Sequence, residues 1–141
     1  RFDLTINDFV REVMLGRELV VFGKQFWRPY CHVEDLARSC LHVLNADPTL
    51  VDKEVFGVGS TDENYQKQML VDEMKKQIPD MRVRFVNKDE DPRDYRVDFT
   101  KIDKRLGFKV TRLVPDGIRE VRELLDAGML IDPMAKHYGN T

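Results

Sequence analysis

The sequence predicts an α/β fold, and within that class a small mixed lobe of short strands and helices. Three observations carry the expectation. Strand-like and helix-like stretches alternate along the whole 141-residue chain, the order that α/β architecture produces. The strand-like runs are few and short, too few for a complete doubly wound domain. With 42% hydrophobic and 34% charged residues, the chain carries the apolar material of one globular core.

Each element follows from its residues in turn. Ile6, Phe9, Val10, Val13 and Met14 fall at helical spacing over residues 5–15, and Gly16 supplies the stop. Leu19-Val20-Val21-Phe22, bounded by Gly23, reads as a buried strand, and residues 24–27 as a loop. Arg28 and Pro29 then lead through Tyr30-Cys31-His32-Val33 into a helix spaced by Leu36, Ala37, Cys40, Leu41 and Leu44. It closes near Asn45-Ala46-Asp47-Pro48, and Glu34 and Asp35 suit its positive first turn.

Residues 54–59 have a strand's length and the glycine punctuation of a sharp exit. A helix capped by Thr61 or Asn64 should follow, with Tyr65, Met69, Val71, Met74 and Ile78 as its apolar stripe and Pro79 as its end. Residues 82–86 alternate polar and apolar side chains, which predicts a half-buried strand with Arg82 and Arg84 toward water. A charged loop over 87–93, a short extended piece over 95–98 and a helical turn over 100–106 come next, the last stopped by Gly107. Pro115 opens the final helix, which turns Ile118, Val121, Leu124 and Leu125 inward and ends at Gly128. Residues 1–135 read as one domain and 136–141 as a flexible tail.

Composition narrows the function classes. A net charge of -2 offers no basic excess for nucleic acid or an anionic membrane surface. No run approaches the ~18 apolar residues of a membrane span. Two cysteines do not make a disulfide framework, so a reducing, cytoplasmic setting is expected. No signal-sequence pattern opens the chain and residue 1 is Arg1 rather than methionine, so its beginning is expected to be cut or processed.

The stretch from Trp27 to Arg38 is the most informative. Arg28 precedes a strand-to-helix unit, is followed by a proline and lies beside aromatic residues, a setting that suits a planar guanidinium gripping a phosphate with two prongs. Taken alone, the same arginine also reads as a solvated surface residue. Cys31, His32, Cys40 and His42 lack paired zinc spacing and read as packing and surface positions, so no metal is expected. Lys88-Asp89-Glu90-Asp91 reads as a solvated acidic loop rather than a cation site. Met69, Met74 and Met81 read as core filler.

Taken together, several stretches resemble one family in the right order. They are Arg1-Phe2-Asp3-Leu4-Thr5-Ile6-Asn7, Gly16, Leu19 to Gly23, Arg28-Pro29 and His32-Val33-Glu34-Asp35-Leu36-Ala37. The likeness continues through Phe56-Gly57-Val58-Gly59-Ser60, Glu63-Asn64-Tyr65, Asp91 to Asp98, Lys101-Ile102, Leu106-Gly107-Phe108 and Asp116-Gly117-Ile118. This is similar to the C-terminal, substrate-binding part of the nucleotide-sugar epimerases and dehydratases of the extended short-chain dehydrogenase/reductase family. The resemblance implies a lobe lacking the complete Rossmann domain. It implies that Arg28 contacts the pyrophosphate of a nucleotide sugar, and that Arg93 or Lys88 reaches the phosphates or the ribose. It further implies that the strand at Val21 lies against the base and that Asn7 matches a family asparagine, although helix capping would equally explain Asn7.

Departures from the family pattern bound the expectation. The loop Gly23-Lys24-Gln25-Phe26-Trp27-Arg28 lacks a second glycine common in relatives. The glycine-rich turn that would bind NAD or NADP is absent, and Gly57-Val58-Gly59 reads as a strand exit. Tyr30, Tyr65, Tyr95 and Tyr138 all lack the lysine four residues on that the family's catalytic tyrosine requires. No catalytic or cofactor-binding residue is therefore expected on this chain; the missing Rossmann half would hold the nicotinamide. The partners implied are a nucleotide-sugar substrate, that missing half, and further copies of the chain meeting through an apolar face near Phe22, Phe26 or Trp27. Neither nucleic acid nor membrane is expected. The alternatives are a non-catalytic binding or regulatory module on the same fold, or a reductase of other carbonyl compounds.

Overall fold

The structure, a computed structural model, describes residues 1–140. Six helices and four short strands alternate as the α/β expectation requires: α1 Thr5–Met14, β1 Leu19–Phe22, β2 Trp27–Pro29, α2 Val33–Leu44, α3 Pro48–Val51, β3 Asn64–Gln66, α4 Lys67–Gln77, β4 Val83–Val86, α5 Thr100–Leu106 and α6 Val114–Asp126. The strands form two separate pairs. β1 lies parallel to β4 with Leu19 opposite Val83 and Phe22 opposite Val86, whereas β2 lies antiparallel to β3 with Arg28 opposite Tyr65.

One core joins these pieces. Phe9, Val10 and Val13 of α1, Leu19 and Val21 of β1, Leu70, Val71 and Met74 of α4, and Val114 and Ile118 of α6 pack into a single cluster. Burying each large side chain contributes about 1.5–3 kcal/mol, so these ten residues dominate the stability of the lobe. Gly107 and Gly128 both take left-handed backbone (φ +67° and +62°), which is why α5 and α6 stop where the sequence predicts. Arg84 points to water and pairs with Glu18 at 3.0 Å, and Arg82 donates to the Gly16 carbonyl.

Three expectations need correction. Residues 54–59 form no strand, because among the described residues no neighbouring strand lies alongside to take their backbone hydrogen bonds. The segment is held instead by α5, through Lys101 on Glu54 (2.7 Å) and on the Val55 carbonyl (2.8 Å). Neither Thr61 nor Asn64 caps α4. Asn64 sits in β3, where its amide donates to the Thr61 and Val97 carbonyls and accepts from Val97 N–H, tying the strand to residue 97. Residue 27, expected in a loop, begins β2 because its N–H is fixed by Asp94 (2.7 Å) and its carbonyl accepts from Tyr95 N–H.

α2 is turned inside out relative to an ordinary surface helix. Its buried residues are polar, Asp35 and Ser39, while Val33 (73% exposed), Leu36 (50%), Leu41 (62%) and Leu44 (79%) face outward. The polar face turns inward because Asp35 is an anchor. Its carboxylate accepts from Thr111 N–H, the Thr111 hydroxyl and Arg112 N–H, and pairs with Arg38. Desolvation pushes this carboxyl pKa up, but the hydrogen bonds outweigh it and hold the group below its ordinary value. The exposed apolar face therefore lies here rather than at residues 22–27, where Phe22 alone of the three aromatic residues is exposed, Phe26 is buried and Trp27 is partly buried.

Residues 136–140 of the expected tail pack back on the chain start. A 3-10 turn over Lys136–Tyr138 accepts Phe2 N–H at the Tyr138 carbonyl (2.7 Å), and the two rings meet edge to face. Residue 141 lies outside the described residues. No helix among them is long and apolar enough to cross a membrane.

Candidate functional site: a cationic cluster beside a cavity

Arg28 is presented by β2, whose pairing with β3 on one side and tethers to Asp94 and Tyr95 on the other fix its backbone. Its guanidinium donates to the Trp27 carbonyl (2.7 Å), pairs with Asp91 (2.8 Å) and lies 5.8 Å from the centre of the Tyr95 ring. Only 16% of the Arg28 side chain and 3% of that of Asp91 are exposed. Asp91 thus departs from the solvated loop the sequence suggested: a largely buried guanidinium requires a counter-charge, and Asp91 supplies it. The Asp91 carboxyl is held low first by the Arg93 backbone N–H (3.0 Å), and then by the charges of Arg28, Arg93 and Lys88 against the opposing effect of desolvation.

The same carboxylate gathers the other predicted cations. Arg93 approaches it at 3.6 Å with its side chain 76% exposed. Lys88 is exposed on the same loop, and its carbonyl accepts from Gln25, binding the 88–91 loop to the one before Arg28. Val21 is fully buried with its side chain in the core, so only its backbone could meet a ligand. Asn7 does not cap α1; Leu4 holds the cap position, and the Asn7 amide donates to the Arg1 carbonyl at 2.8 Å.

Asn7 and Arg28 share the wall of a cavity of about 530 Å³, which the N-terminal ends of α1, α2 and α6 also line. Positive helix ends and Arg28 make its rim favourable for an anion. Deeper in, the groups are already engaged. Glu63 accepts from Val114 N–H (2.7 Å) and Tyr65 Oη (3.1 Å), and burial raises its carboxyl pKa. Burial and the Glu63 charge push the Tyr65 phenol to about 12. His32 accepts from Glu34 N–H at Nδ1, so the ring proton lies at Nε2, directed at Glu120 (3.0 Å). Partial desolvation, with Asp35 and Glu63 nearby, raises the Cys31 thiol pKa, which makes it a poor nucleophile.

No dinucleotide cradle fits at Gly57-Val58-Gly59. A side chain at Gly59 would lie 2.8 Å from the Phe99 ring, so that glycine makes room for Phe99, and one at Gly57 would be in ordinary contact with the same ring at 3.4 Å. No cluster of three or more His, Cys, Asp or Glu suited to a metal occurs among the described residues. Sequence reasoning missed two members of the site. Asp91 stood in an acidic run with no local sign of burial, and Lys67 at the start of α4 joins the cluster only through the β2–β3 pairing.

Known structures share this architecture. The UDP-glucuronic acid 4-epimerase of Bacillus cereus, solved with UDP-glucuronic acid and NAD, matches with a TM-score of 0.75 at 17% identity, over 90% of this chain and 41% of its own. RMD from Pseudomonas aeruginosa, complexed with NADPH, matches at 0.72 and 14% identity, over 91% and 44%. The GalE-like L-threonine dehydrogenase of Cupriavidus necator matches at 0.67 and 15% identity, over 84% and 44%. The chain thus shares its fold with part of each of these structures, and it spans about two fifths of their length. Within the sequence, residues 4–59 match the model of the NAD dependent epimerase/dehydratase family.

Proposed function

We propose that this chain is the substrate-holding portion of an NAD(P)-dependent nucleoside-diphosphate-sugar epimerase or dehydratase. Arg28 grips the diphosphate, and Arg93 or Lys88 closes on it. The observation that carries the reading is the Arg28–Asp91 pair at 2.8 Å, with Arg93 and Lys88 drawn to the same carboxylate. A guanidinium fixed by β2 loses little freedom on meeting a phosphate, and its flat fork matches two phosphate oxygens. Asn7, across the cavity, meets the sugar side, and the backbone at Val21 meets the base.

In such an enzyme a nicotinamide, NAD or NADP, supplies the hydride chemistry. It would be held by a Rossmann portion that this chain does not carry, while the lobe positions the sugar. The outward apolar face of α2 and the unpaired segment 54–59 support docking onto that portion: one needs apolar cover, the other a neighbouring strand. Where that portion is absent, the same face drives self-association. Both cysteines are unpaired, which fits the reducing cytoplasm as its setting.

Calorimetric titration with a panel of nucleoside diphosphates tests the reading. Nucleoside diphosphates should bind and the matching nucleosides bind far more weakly, and Arg28→Ala should weaken diphosphate binding by about tenfold or more. Equal binding by native and Arg28→Ala protein would overturn it.

A further inference from the structure

The cluster contains a cation that the phosphate reading does not use. Lys67 opens α4 directly after β3, so the antiparallel register that sets Arg28 opposite Tyr65 also brings residue 67 to the edge of the site. Three contacts hold the surrounding loops in place: Lys67 Nζ on the Phe22 carbonyl (2.8 Å), Gln68 N–H on the Lys24 carbonyl (3.0 Å), and Gln25 on the Lys88 carbonyl (2.8 Å). The groups acting electrostatically on Lys67 are Asp91, Arg28, Lys88 and Arg93. Counting Lys67 itself, that is four cations around one carboxylate, and the carboxylate is already paired with Arg28 and Arg93. Lys67 makes no ion pair of its own among the described residues.

A half-buried ammonium facing three like charges is unfavourable unless an anion completes the set. We infer that Lys67 is a further diphosphate-binding residue, its ammonium bridging from the Phe22 carbonyl to a phosphate oxygen. This rests on the reading of Arg28 as the diphosphate grip and adds a residue to it. One ammonium proton is used on Phe22, which leaves two for the ligand. The placement also couples the ligand to β1: a diphosphate held by Lys67 is tied through one side chain to the strand assigned to the base.

Burial lowers the Lys67 pKa first, and Arg28, Lys88 and Arg93 lower it further against the opposing pull of Asp91. A bound anion reverses much of that, so binding raises the pKa of this lysine. A lysine that only braced the Phe22 carbonyl would feel the same charge, but its replacement by methionine would leave anion binding unchanged.

The test uses the 141-residue chain and inorganic pyrophosphate, which requires only residues present here. Calorimetry compares native protein with Lys67→Met, Lys67→Arg and Arg28→Ala, with thermal melts confirming folding. The Cε resonance of Lys67 is followed against pH by NMR with and without pyrophosphate. Lys67→Met should weaken pyrophosphate about five- to tenfold, Lys67→Arg should restore it to within about twofold, and the Lys67 titration should move upward when pyrophosphate binds. If Arg28→Ala weakens binding while Lys67→Met matches native protein, the inference about Lys67 is overturned and the Arg28 reading stands. If neither substitution changes binding, both fall.

Discussion

Replacing Asp35 with alanine should be among the most damaging single changes in this chain, because one carboxylate, closed off from the surface, holds α2 against residues 111–112. The side chain is fully buried and accepts from two backbone donors, Thr111 N–H (3.0 Å) and Arg112 N–H (2.9 Å), as well as from the Thr111 hydroxyl (3.1 Å) and Arg38. Leaving each buried backbone donor without a partner costs about 1–3 kcal/mol. The hydroxyl and the stranded Arg38 add to this, so Asp35→Ala should cost about 3–5 kcal/mol in total. For a chain of this size that lowers Tm by roughly 10–15 °C. Asp35→Asn keeps one acceptor oxygen and should cost less. Urea unfolding with an unchanged slope would read the loss directly.

The pH dependence has a defined sign. Because hydrogen bonds hold the folded carboxyl low, its stabilisation is fully present above the unfolded value of about 3.9. It is lost as pH falls through the folded value, so the gap between native protein and Asp35→Ala should close only at acidic pH. A loss below about 1 kcal/mol at neutral pH would refute the assignment of Asp35 as the anchor of α2.

Other consequences follow from the same geometry. Burial raises the Glu63 pKa, so native stability should fall as pH rises from the unfolded value of about 4.3 through the higher folded value. Glu63→Gln should remove that slope in a pH series of urea melts; an unchanged slope would refute the cause. Leu41→Glu with Leu44→Glu should leave stability within about 0.5 kcal/mol and reduce self-association in sedimentation, because both side chains face outward. Gly59→Ala should cost about 1–3 kcal/mol in thermal or urea unfolding by pressing on the Phe99 ring, and a neutral result would mean that Phe99 has room to move.

Local periodicity made most of the fold readable. α1, β1, β4, α5 and α6 each announce themselves within a few residues, because helical spacing, alternation and stop glycines are properties of the segment itself. The segment 54–59 shows the limit of that reading: its residues suit a strand, yet a strand exists only where another lends hydrogen bonds. α2 shows a second limit. Its spacing correctly gives a helix, but which face turns inward was decided by Asp35 reaching across to residues 111–112, 76 and 77 positions away in sequence.

The site divides along the same line. Arg28 stands out locally through Trp27, Pro29 and the His32 to Ala37 run that follows. Asp91 and Lys67 carry no local mark, since the burial of one and the position of the other arise from contacts between distant loops. Asn64 was misplaced for a similar reason: an asparagine before an apolar stripe suggests a cap, and its bonds to Val97 become visible only in three dimensions.

The central claim, that Arg28 and its neighbours hold a diphosphate, is tested most directly by a crystal structure of the chain with a nucleoside diphosphate. The account predicts phosphate oxygens within hydrogen-bonding distance of the Arg28 guanidinium and of Arg93 or Lys88, with the base toward the backbone of β1. A ligand whose phosphates lie away from Arg28, or at Gly57-Val58-Gly59, would contradict it.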